Sequence, residues 1–386
     1  MTENSVEVAI IGGGIAGLTT AIALNRAGVD AQVFEQAPAY GEIGGHLTID
    51  DPAIAVLARW GLDQKFHDIS CQLEGMQVKK LDTGEEVVSM PFPDLGSLGV
   101  NDDGRMGTRV VHSFLRADFL GMLLAEIPEG KVHVGHRLTA LQNADDGGNS
   151  NTVATFENGT EVSATVILAA DGVRSLARKM FDDVPAVAAG HTVLRTMCSA
   201  DILPDDLPTN RMLFWDGWAF GDKAAGVGVH ALTVPVRGEK FISVDLQFQG
   251  GDQLEDCNPS DLPVDRVMGR YPDTLDPIIS KMIEARVEPL AAYPLFDRPV
   301  ANKWVDGRIA LMGDAAHSMR PNLGQGGCQS IHDAGAIADA FAEHGVTHEA
   351  LKVYEAVRKP YTQSIVEAAK NIQVDPKAWK DKGKPA

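Results

Sequence analysis

Cysteine is scarce in this sequence, and its few cysteines follow no pattern typical of a disulfide framework or a metal site. The 386 residues contain four of them, Cys71, Cys198, Cys257 and Cys328, with no CxxC pair and no cysteine–histidine cluster at metal-ligand spacing. We therefore expect reduced thiols and no bound metal.

Positive charge is also limited. The chain has 34 lysines and arginines against 53 aspartates and glutamates, which gives a formal net charge of −19. Because nucleic acids and anionic membranes repel an acidic surface, this balance disfavours both as partners. The N-terminus has no basic residues before its first apolar run, so we expect no signal peptide. Glycines interrupt the apolar stretch 6–24, which disfavours a membrane span. Together these features predict a cytoplasmic protein.

Glycine, in contrast, is abundant, with 39 residues. At the N-terminus the glycines punctuate a regular pattern of secondary structure. Residues 6–11 form an apolar run typical of a strand covered on both faces, apolar residues recur at helical spacing over 15–28, and a second strand is predicted from Ala31. This order predicts a βαβ unit with a parallel sheet.

The turn of this unit carries a dinucleotide-binding fingerprint. Gly12, Gly14 and Gly17 form GxGxxG between the strand and the helix, and Glu35 ends the next strand. The first glycine permits the tight turn, the second the approach of a pyrophosphate, and the third close helix–strand packing, while the acid binds ribose hydroxyls. The alternative is a tight turn without a ligand. We also predict that Ala16, inside the fingerprint, lines the cofactor site.

Only one such unit is present, because the glycines at 226–228 lie in a strand pattern with no helix after them. The glycines do not identify the dinucleotide. A single unit suits a simple NAD dehydrogenase, or a flavoprotein whose nicotinamide binds without a Rossmann domain of its own.

The rest of the chain changes pattern twice. Residues 75–90 predict a hairpin and 116–127 an amphipathic helix. Between about 190 and 250 alternating strands predominate, which predicts a separate antiparallel sheet. Two long helices are then predicted over 325–343 and 348–371.

Three further segments carry a more specific signal. They are DGVRSLAR, with Asp171, Ser175 and Arg178; GDAAH from Gly313, followed by Pro321 and the GQG of Gly324 to Gly326; and Arg116 at the start of a predicted helix. With the fingerprint, they resemble the class A flavoprotein aromatic hydroxylases, a family that includes salicylate, 3-hydroxybenzoate and 6-hydroxynicotinate hydroxylases. The resemblance covers the two flavin-binding ends of the chain well and its middle poorly.

The resemblance implies an α/β fold in which a Rossmann-like FAD-binding domain is interleaved with a smaller antiparallel-sheet substrate domain and followed by C-terminal helices. The length fits about two domains. The predicted boundaries are FAD-binding segments at 1–75, 101–182 and 291–374, substrate-domain segments at 76–100 and 183–290, and a tail at 375–386.

The resemblance also suggests what individual residues do. Asp314 would accept hydrogen bonds from the ribityl chain, or else cap a turn. Arg116 would pair with the pyrophosphate of FAD, for which a forked guanidinium is suited, or else form a surface ion pair. The amides of Gly324, Gly326 and Gly327 would face the flavin ring at a positive helix end, or else only begin the helix.

Further candidates follow from the same resemblance, two of them where the sequence departs from the family. His46 follows Ile43-Gly44-Gly45, where the family more often has the segment GAGI, so its side chain would either touch the flavin or only fill space. His332 stands at a position that is often acidic in the family. Arg174 and Arg178 are either structural or peripheral. The remaining predicted cofactor-binding residues are Gly45, Leu138 and Asp171.

The family's reaction uses NAD(P)H as co-substrate to reduce FAD, which forms a flavin hydroperoxide with O₂ and transfers one oxygen to an electron-rich carbon. The predicted partners are a small aromatic substrate and O₂, in a monomer or homodimer. The protein must exclude water and activate the substrate.

His230 is the predicted activating group. In GVGVHALTVPVRG it shares one strand face with Gly226, Gly228 and Leu232, so that space for a ring is left beside it. A histidine titrating near neutrality could accept a phenol proton. The alternative is a histidine bonded within the sheet or exposed on its outer face.

Other functions are compatible with these motifs. They are a monooxygenase for a larger natural product or antibiotic, a flavoprotein reductase that consumes no stoichiometric oxygen, and a non-enzymatic flavoprotein that sequesters an aromatic compound.

Overall fold

A computed structural model gives the fold of the chain. It describes residues 4–41, 45–92, 110–143, 151–182, 184–216, 230–249, 264, 268–269, 271 and 275–371.

The strands are, in chain order, β1 Asn4–Ile11, β2 Ala31–Phe34, β3 His46–Asp50, β4 Cys71–Leu73, β5 Gly75–Lys80, β6 Glu86–Pro91, β7 Val111–Leu115, β8 Val132–His133, β9 Leu138–Gln142, β10 Thr152–Phe156, β11 Glu161–Ala169, β12 Val187–Ser199, β13 Arg211–Asp216, β14 His230–Val236, β15 Phe241–Gln249, β16 Ala291–Asp297, β17 Val305–Asp306 and β18 Ile309–Leu311. The helices are α1 Ile15–Arg26, α2 Asp51–Ala58, α3 Asp63–Ile69, α4 Arg116–Leu124, α5 Pro277–Glu284, α6 Asp314–His317, α7 Gln325–His344 and α8 His348–Asn371.

The first sheet contains the predicted βαβ unit, and the α/β class is confirmed. Its strand order is β17-β18-β11-β1-β2-β8, with β10 and β9 continuing from β11. Strands β1, β2, β11 and β18 pair in parallel, and their last residues, Ile11, Phe34, Ala169 and Leu311, lie at one level. The segments that follow these four strands therefore meet at one sheet edge, where open α/β sheets bind their ligands.

The second sheet has the order β16-β12-β15-β14-β13-β5-β6. It is antiparallel, as predicted, except that β5 pairs with β13 in parallel. The early hairpin of β5 and β6 thus joins a sheet whose other strands come from later in the chain. Strand β16 also pairs within this sheet, with β12, although it lies after the domain boundary expected at residue 290. The exact domain limits stay a prediction. The third sheet, β3-β7-β4, is small and antiparallel.

Each face of the second sheet has a different character. Leu194, Ala231 and Leu246 point to one face, where they form a core with Ile279 and Ile283 of α5. Because side chains alternate along a strand, the neighbouring residues Arg195, His230 and Gln247 point to the opposite face. This polar face carries the candidate substrate residues.

Helix α7 lies at the centre of the large core. It packs against α1, α2, α8 and strand β3, and its buried apolar residues belong to the same core as those of the first sheet. The two long C-terminal helices agree with the sequence to within a residue. Helix α4 ends at Leu124, earlier than predicted. The amide of Ile127 donates to the carbonyl oxygen of Leu124 and closes a turn, and Pro128 follows this turn.

Two smaller expectations concern the surface of the protein and its thiols. Among the described helices, none combines the length and the apolar character that crossing a bilayer requires. Cys71, Cys198 and Cys328 are free and buried. Cys257 and the tail 375–386 lie outside the described residues.

Candidate active site

The three fingerprint glycines occupy positions that match their predicted roles. Gly12 has φ +107°, and a Cβ there would collide with the carbonyl oxygen of Ala170. A Cβ on Gly17 would collide with the carbonyl oxygen of Gly12, so this glycine sets the distance between helix and strand. A Cβ on Gly14 would meet nothing within 4 Å. The loop is thus tight where the chain turns and open where a pyrophosphate would approach.

Glu35 holds the same loop from the neighbouring strand. Its Oε2 accepts the Gly13 amide at 2.6 Å and its Oε1 the Ala37 amide at 2.8 Å. The carboxylate therefore lies beside the open side of the turn, where a ribose hydroxyl could share it. Ribose binding by Glu35 remains a prediction.

Arg116 is placed for a negatively charged ligand. Its guanidinium makes no hydrogen bond or ion pair with any described residue, although it lies within electrostatic range of Glu35 and Asp314. Burial lowers the pKa of Arg116, and these two carboxylates oppose that effect. The predicted alternative is a surface ion pair, but the candidate acids Asp118 and Glu126 pair with other cations. A cation beside the glycine loop that no described residue pairs with fits a pyrophosphate.

Tyr40 belongs to this group, and sequence analysis missed it. A Cβ on Gly13 would collide with its hydroxyl, and that hydroxyl is buried without a hydrogen-bond partner among the described residues. Burial raises the pKa of Tyr40, so the phenol stays protonated and can donate. Only the fold reveals this role, because no sequence pattern links position 40 to the glycines.

Asp314 begins α6 directly after the short connection that follows β18, on the same sheet edge. It is exposed, whereas the residues on either side of it, 311–313 and 315–317, are buried. Gly313 takes φ +56°, and a Cβ there would lie 2.9 Å from Cβ of Ala16, so the Asp314 loop packs directly on the start of α1. The structure therefore brings Asp314 next to the glycine loop. Contact with a ribityl chain remains a prediction.

The glycines at the start of α7 complete this side of the site. Gly324 has φ +63° and approaches Thr48 of β3 so closely that a Cβ would collide with Oγ1. Gly326 has open space around it, and Gly327 meets only Ile15, 3.8 Å from the position of its Cβ. The amino ends of α1 and α7 thus lie side by side with bare amides, a pair of positive helix ends suited to an anionic ligand.

Asp171 and Leu138 have structural roles of their own. Asp171 Oδ2 accepts the amides of Leu176 and Ala177, at 2.8 and 3.1 Å, and so caps a short 3-10 turn. The Asp171 amide lies 3.1 Å from a Cβ placed on Gly12, which puts it beside the loop. Leu138 is a buried core residue opposite Phe156. Contact of Asp171 and Leu138 with a cofactor remains a prediction.

Arg178 is structural, the first of its two predicted alternatives. It is fully buried, pairs with Asp182 at 3.0 Å, and donates to the carbonyl oxygens of Ala315, Ala316 and Pro299. It therefore fixes the backbone directly behind Asp314. Arg174 stacks on Phe296, with its guanidinium carbon 4.3 Å from the ring centroid.

Gly45 and His46 face the polar side of the second sheet. A Cβ on Gly45 would lie 2.6 Å from Nε of Arg195, so Arg195 uses the space that this glycine leaves. His46 is buried, and its Nδ1 lies 3.0 Å from Ser243 Oγ and 3.6 Å from Asp245 Oδ1. Burial lowers the pKa of His46. Ile43 and Gly44, named with them, lie outside the described residues.

Arg195 and Asp245, which sequence analysis also missed, stand opposite each other on β12 and β15. Arg195 Nε donates to Asp245 Oδ2 at 3.1 Å, and the guanidinium lies 5.5 Å from the ring centroid of Tyr293. A charge pair and an aromatic ring therefore line the sheet next to Gly45. Neither residue had a signal in the sequence, because their pairing depends on strand register.

His230 lies on this polar face at the start of β14. Its Nε2 is 2.9 Å from Gln247 Oε1, and its ring centroid is 4.9 Å from that of Phe214. Because Gln247 Oε1 can only accept, the proton is assigned to Nε2, which leaves Nδ1 as an acceptor. Burial lowers the pKa of His230 to about 4, so the expectation of titration near neutrality is wrong. Leu232 shares its face, while Gly226 and Gly228 lie outside the described residues.

Comparisons with known proteins identify the family to which the chain is similar. Residues 5–369 match the FAD binding domain family. The chain is 29% identical to 3-amino-4-hydroxybenzoate 2-monooxygenase PtmB3 of Streptomyces platensis over 370 residues, which cover 95% of this chain and 87% of that protein. It is 29% identical to 3-hydroxybenzoate 6-hydroxylase of Klebsiella oxytoca over 360 residues, which cover 92% and 85%. Among solved structures, Klebsiella pneumoniae HpxO in complex with FAD and uric acid has a similar fold, with a TM-score of 0.79, 22% identity, and 97% and 92% coverage.

The glycine loop gives a prediction that separates folding from binding. Gly14→Ala is expected to leave the stability of the apoprotein unchanged and to weaken FAD binding by about tenfold or more, because the new methyl group enters only the open space of the loop. Gly17→Ala is expected to lower the free energy of unfolding by about 1–3 kcal/mol through overpacking against Gly12. Fluorescence titration with FAD and urea denaturation measure the two effects. Equal stability losses in both variants would contradict this reading of the loop.

The two arginines give a second prediction. Arg116→Ala is expected to weaken FAD binding by about tenfold with little change in melting temperature, because its guanidinium has no partner among the described residues. Arg178→Ala is expected to destabilise the fold by about 3 kcal/mol or more, because it strips buried carbonyl oxygens of their donor. A fall in melting temperature for Arg116→Ala as large as that for Arg178→Ala would show that Arg116 is structural.

Proposed function

The chain belongs to the FAD-binding domain family, and we propose from its site that it is a monooxygenase that uses NAD(P)H and O₂ to hydroxylate a small aromatic substrate. The observation that carries the proposal is the position of the polar face of the second sheet, which meets the Gly45–His46 segment. That segment continues through β3 to Thr48, beside the Gly324 turn of the cofactor site. The edge of the first sheet that would bind the cofactor therefore lies next to the polar face of the second sheet, which also carries aromatic side chains.

The residues present fit FAD. The open side of Gly14, the bare amides of Gly326 and Gly327, and Arg116, whose guanidinium has no partner among the described residues, suit the anionic parts of the molecule. The exposed Asp314 suits its hydroxyls. Bound FAD, reduced by NAD(P)H, would supply the activated oxygen that is transferred to the substrate. The protein supplies orientation, charge and protection from water.

On the substrate side, Arg195, Tyr293 and Phe214 supply a cation and two rings. These groups favour a flat substrate with an electron-rich or anionic substituent, since guanidinium groups and aromatic edges both attract such a ring. The relatives are named for small substituted benzoates, which agrees with this size. Ser243, Asp245 and Gln247 add hydrogen-bonding groups along the same face of β15.

His230 is the proposed proton acceptor. Its low pKa keeps the imidazole neutral at physiological pH, and the bond to Gln247 leaves the Nδ1 lone pair without a hydrogen-bond donor among the described residues. Removing a phenolic proton would raise the electron density of the ring carbon that is attacked.

The function itself is tested with purified holoenzyme and a set of phenolic acids and bicyclic aromatics. We expect at least one compound to stimulate NADPH oxidation, with equimolar O₂ consumption and a product heavier by one oxygen atom in mass spectrometry. Oxidation of NADPH without O₂ consumption would instead identify a reductase. Bound FAD with no NADPH oxidation would identify a non-enzymatic flavoprotein.

The role of His230 is tested by His230→Asn, with the exposed His67→Asn as the matched control. We expect product formation to fall by about a hundredfold, within the range for general base catalysis, while the rate of FAD reduction by NADPH is preserved. Near-normal product formation in His230→Asn would assign the residue to the sheet alone.

The pH profile checks the same assignment. A base is active when unprotonated, and His230 is unprotonated above its pKa of about 4. Product formation should therefore show no loss attributable to His230 as the pH falls from about 8 to about 6. A loss centred near the ordinary histidine pKa, absent in His230→Asn, would contradict the low pKa.

A further inference from the structure

A row of polar side chains runs along the buried side of α7. Gln325, Gln329 and Asp333 follow one another at i, i+4 spacing, so they lie on one helix face, and their exposures are 3%, 1% and 0%. Buried polar groups are costly unless they are hydrogen-bonded, so the partners of this row show what it holds together.

At one end, Asp333 holds the Asp314 loop. Its Oδ2 accepts the amide of Gly313 at 2.8 Å and Nε2 of His317 at 2.7 Å, and its Oδ1 accepts Nε of Arg358 from α8 at 2.8 Å. Burial would raise the pKa of Asp333, but the charges of His317 and Arg358 hold it well below its usual range. The carboxylate is therefore ionised and holds the Gly313–His317 turn at two points.

From Arg358 the row continues in one direction. Nη2 of Arg358 donates to Gln329 Oε1 at 2.6 Å, Nε2 of Gln329 donates to Gln325 Oε1 at 3.0 Å, and Nε2 of Gln325 donates to Asp50 Oδ2 at 3.0 Å. Every amide in the row donates away from the cation and towards a carboxylate. Such aligned bonds polarise one another, which favours a single arrangement of the row.

At the other end, Asp50 terminates β3 and caps α2, where its Oδ1 accepts the amide of Ala53 at 3.3 Å. Strand β3 begins at His46. The relay of Arg358, Asp333, Gln329, Gln325 and Asp50 thus joins three segments of the cofactor site: the Asp314 loop, the Gly324–Gly327 turn and the strand that follows Gly45.

We infer that this relay positions the FAD site, so that residues of the relay set FAD affinity without touching the cofactor. Arg358 is the cation of the relay and belongs to α8, which contributes no candidate cofactor residue. Replacing buried ionic groups by apolar ones of similar size is often neutral for stability, so the relay by itself is weak evidence for a stabilising role. The inference rests on FAD binding, not on the reaction or the substrate.

The test variant is Gln329→Met, which breaks the relay at its middle with a side chain of similar volume and leaves no carboxylate unpaired. Arg358 keeps a bond to the Gln329 backbone carbonyl at 3.3 Å, which favours correct folding. The matched control is Gln363→Met, which removes an exposed glutamine of α8 that bonds Glu367 at 3.3 Å. Apoprotein of each variant is titrated with FAD well below its melting temperature, and apoprotein unfolding is followed by circular dichroism.

We expect Gln329→Met to raise the FAD dissociation constant by about tenfold, because the segments that the relay joins are no longer held in place before FAD binds, and Gln363→Met to leave it unchanged. An unchanged FAD dissociation constant in Gln329→Met overturns the inference. So does a rise in the constant that disappears once the unfolded fraction of apoprotein is subtracted, because it would show a structural role only. A wild-type chain that binds FAD but hydroxylates nothing would instead overturn only the proposed function.

A double variant tests whether the row acts as one unit. If the relay is continuous, Gln325→Met should add little to the effect of Gln329→Met on FAD affinity, because the row is already broken. Effects that multiply would show two independent contacts and overturn the relay.

Discussion

The close approach of backbone at the end of β1 is the constraint on which the rest of the site depends. Gly12 takes a conformation that favours glycine, and it contacts both the Ala170 carbonyl group and the start of α1 without a side chain between them. Because β1, β2, β11 and β18 end in register, this contact also fixes where Glu35, Asp171 and Asp314 lie. A wider turn at Gly12 would separate these residues.

The site must also attract an anionic cofactor within a chain of net charge −19. Part of the positive charge at the site comes from backbone amides at the starts of α1 and α7, and neither helix has an acidic residue in its first turn. Arg116 adds one side-chain charge that no hydrogen bond or ion pair with the described residues satisfies. Local geometry therefore outweighs the overall charge, which is screened over distances of about 10 Å.

Local patterns in the sequence predicted much of this arrangement. The fingerprint glycines, Asp314 and the limits of α7 and α8 follow from strand and helix periodicity and from short motifs, and the structure places them as expected. What the sequence could not predict depends on register between distant strands and helices. Arg195 meets Asp245 only through the pairing of β12 with β15, and the low pKa of His230 reflects burial that alternation along a strand does not reveal. The sequence does contain a signal for Asp333. Gln325, Gln329 and Asp333 recur at helical spacing on the face of α7 whose other buried residues are mostly apolar.

The contact between Gly45 and Arg195 couples the two halves of the site. Arg195 crosses the space that a side chain at position 45 would fill, and Asp245 holds it there. His46, the next residue, bonds Ser243 on the same strand as Asp245. One oxygen of Asp245, Oδ1, already has no hydrogen-bond partner among the described residues. A larger residue at position 45 would push the Arg195 guanidinium away from Oδ2 and so remove the ion pair of a buried carboxylate. The segment before β3 and the sheet that faces it therefore constrain each other, and a substitution on this face of the sheet has to be compatible with the residue at position 45.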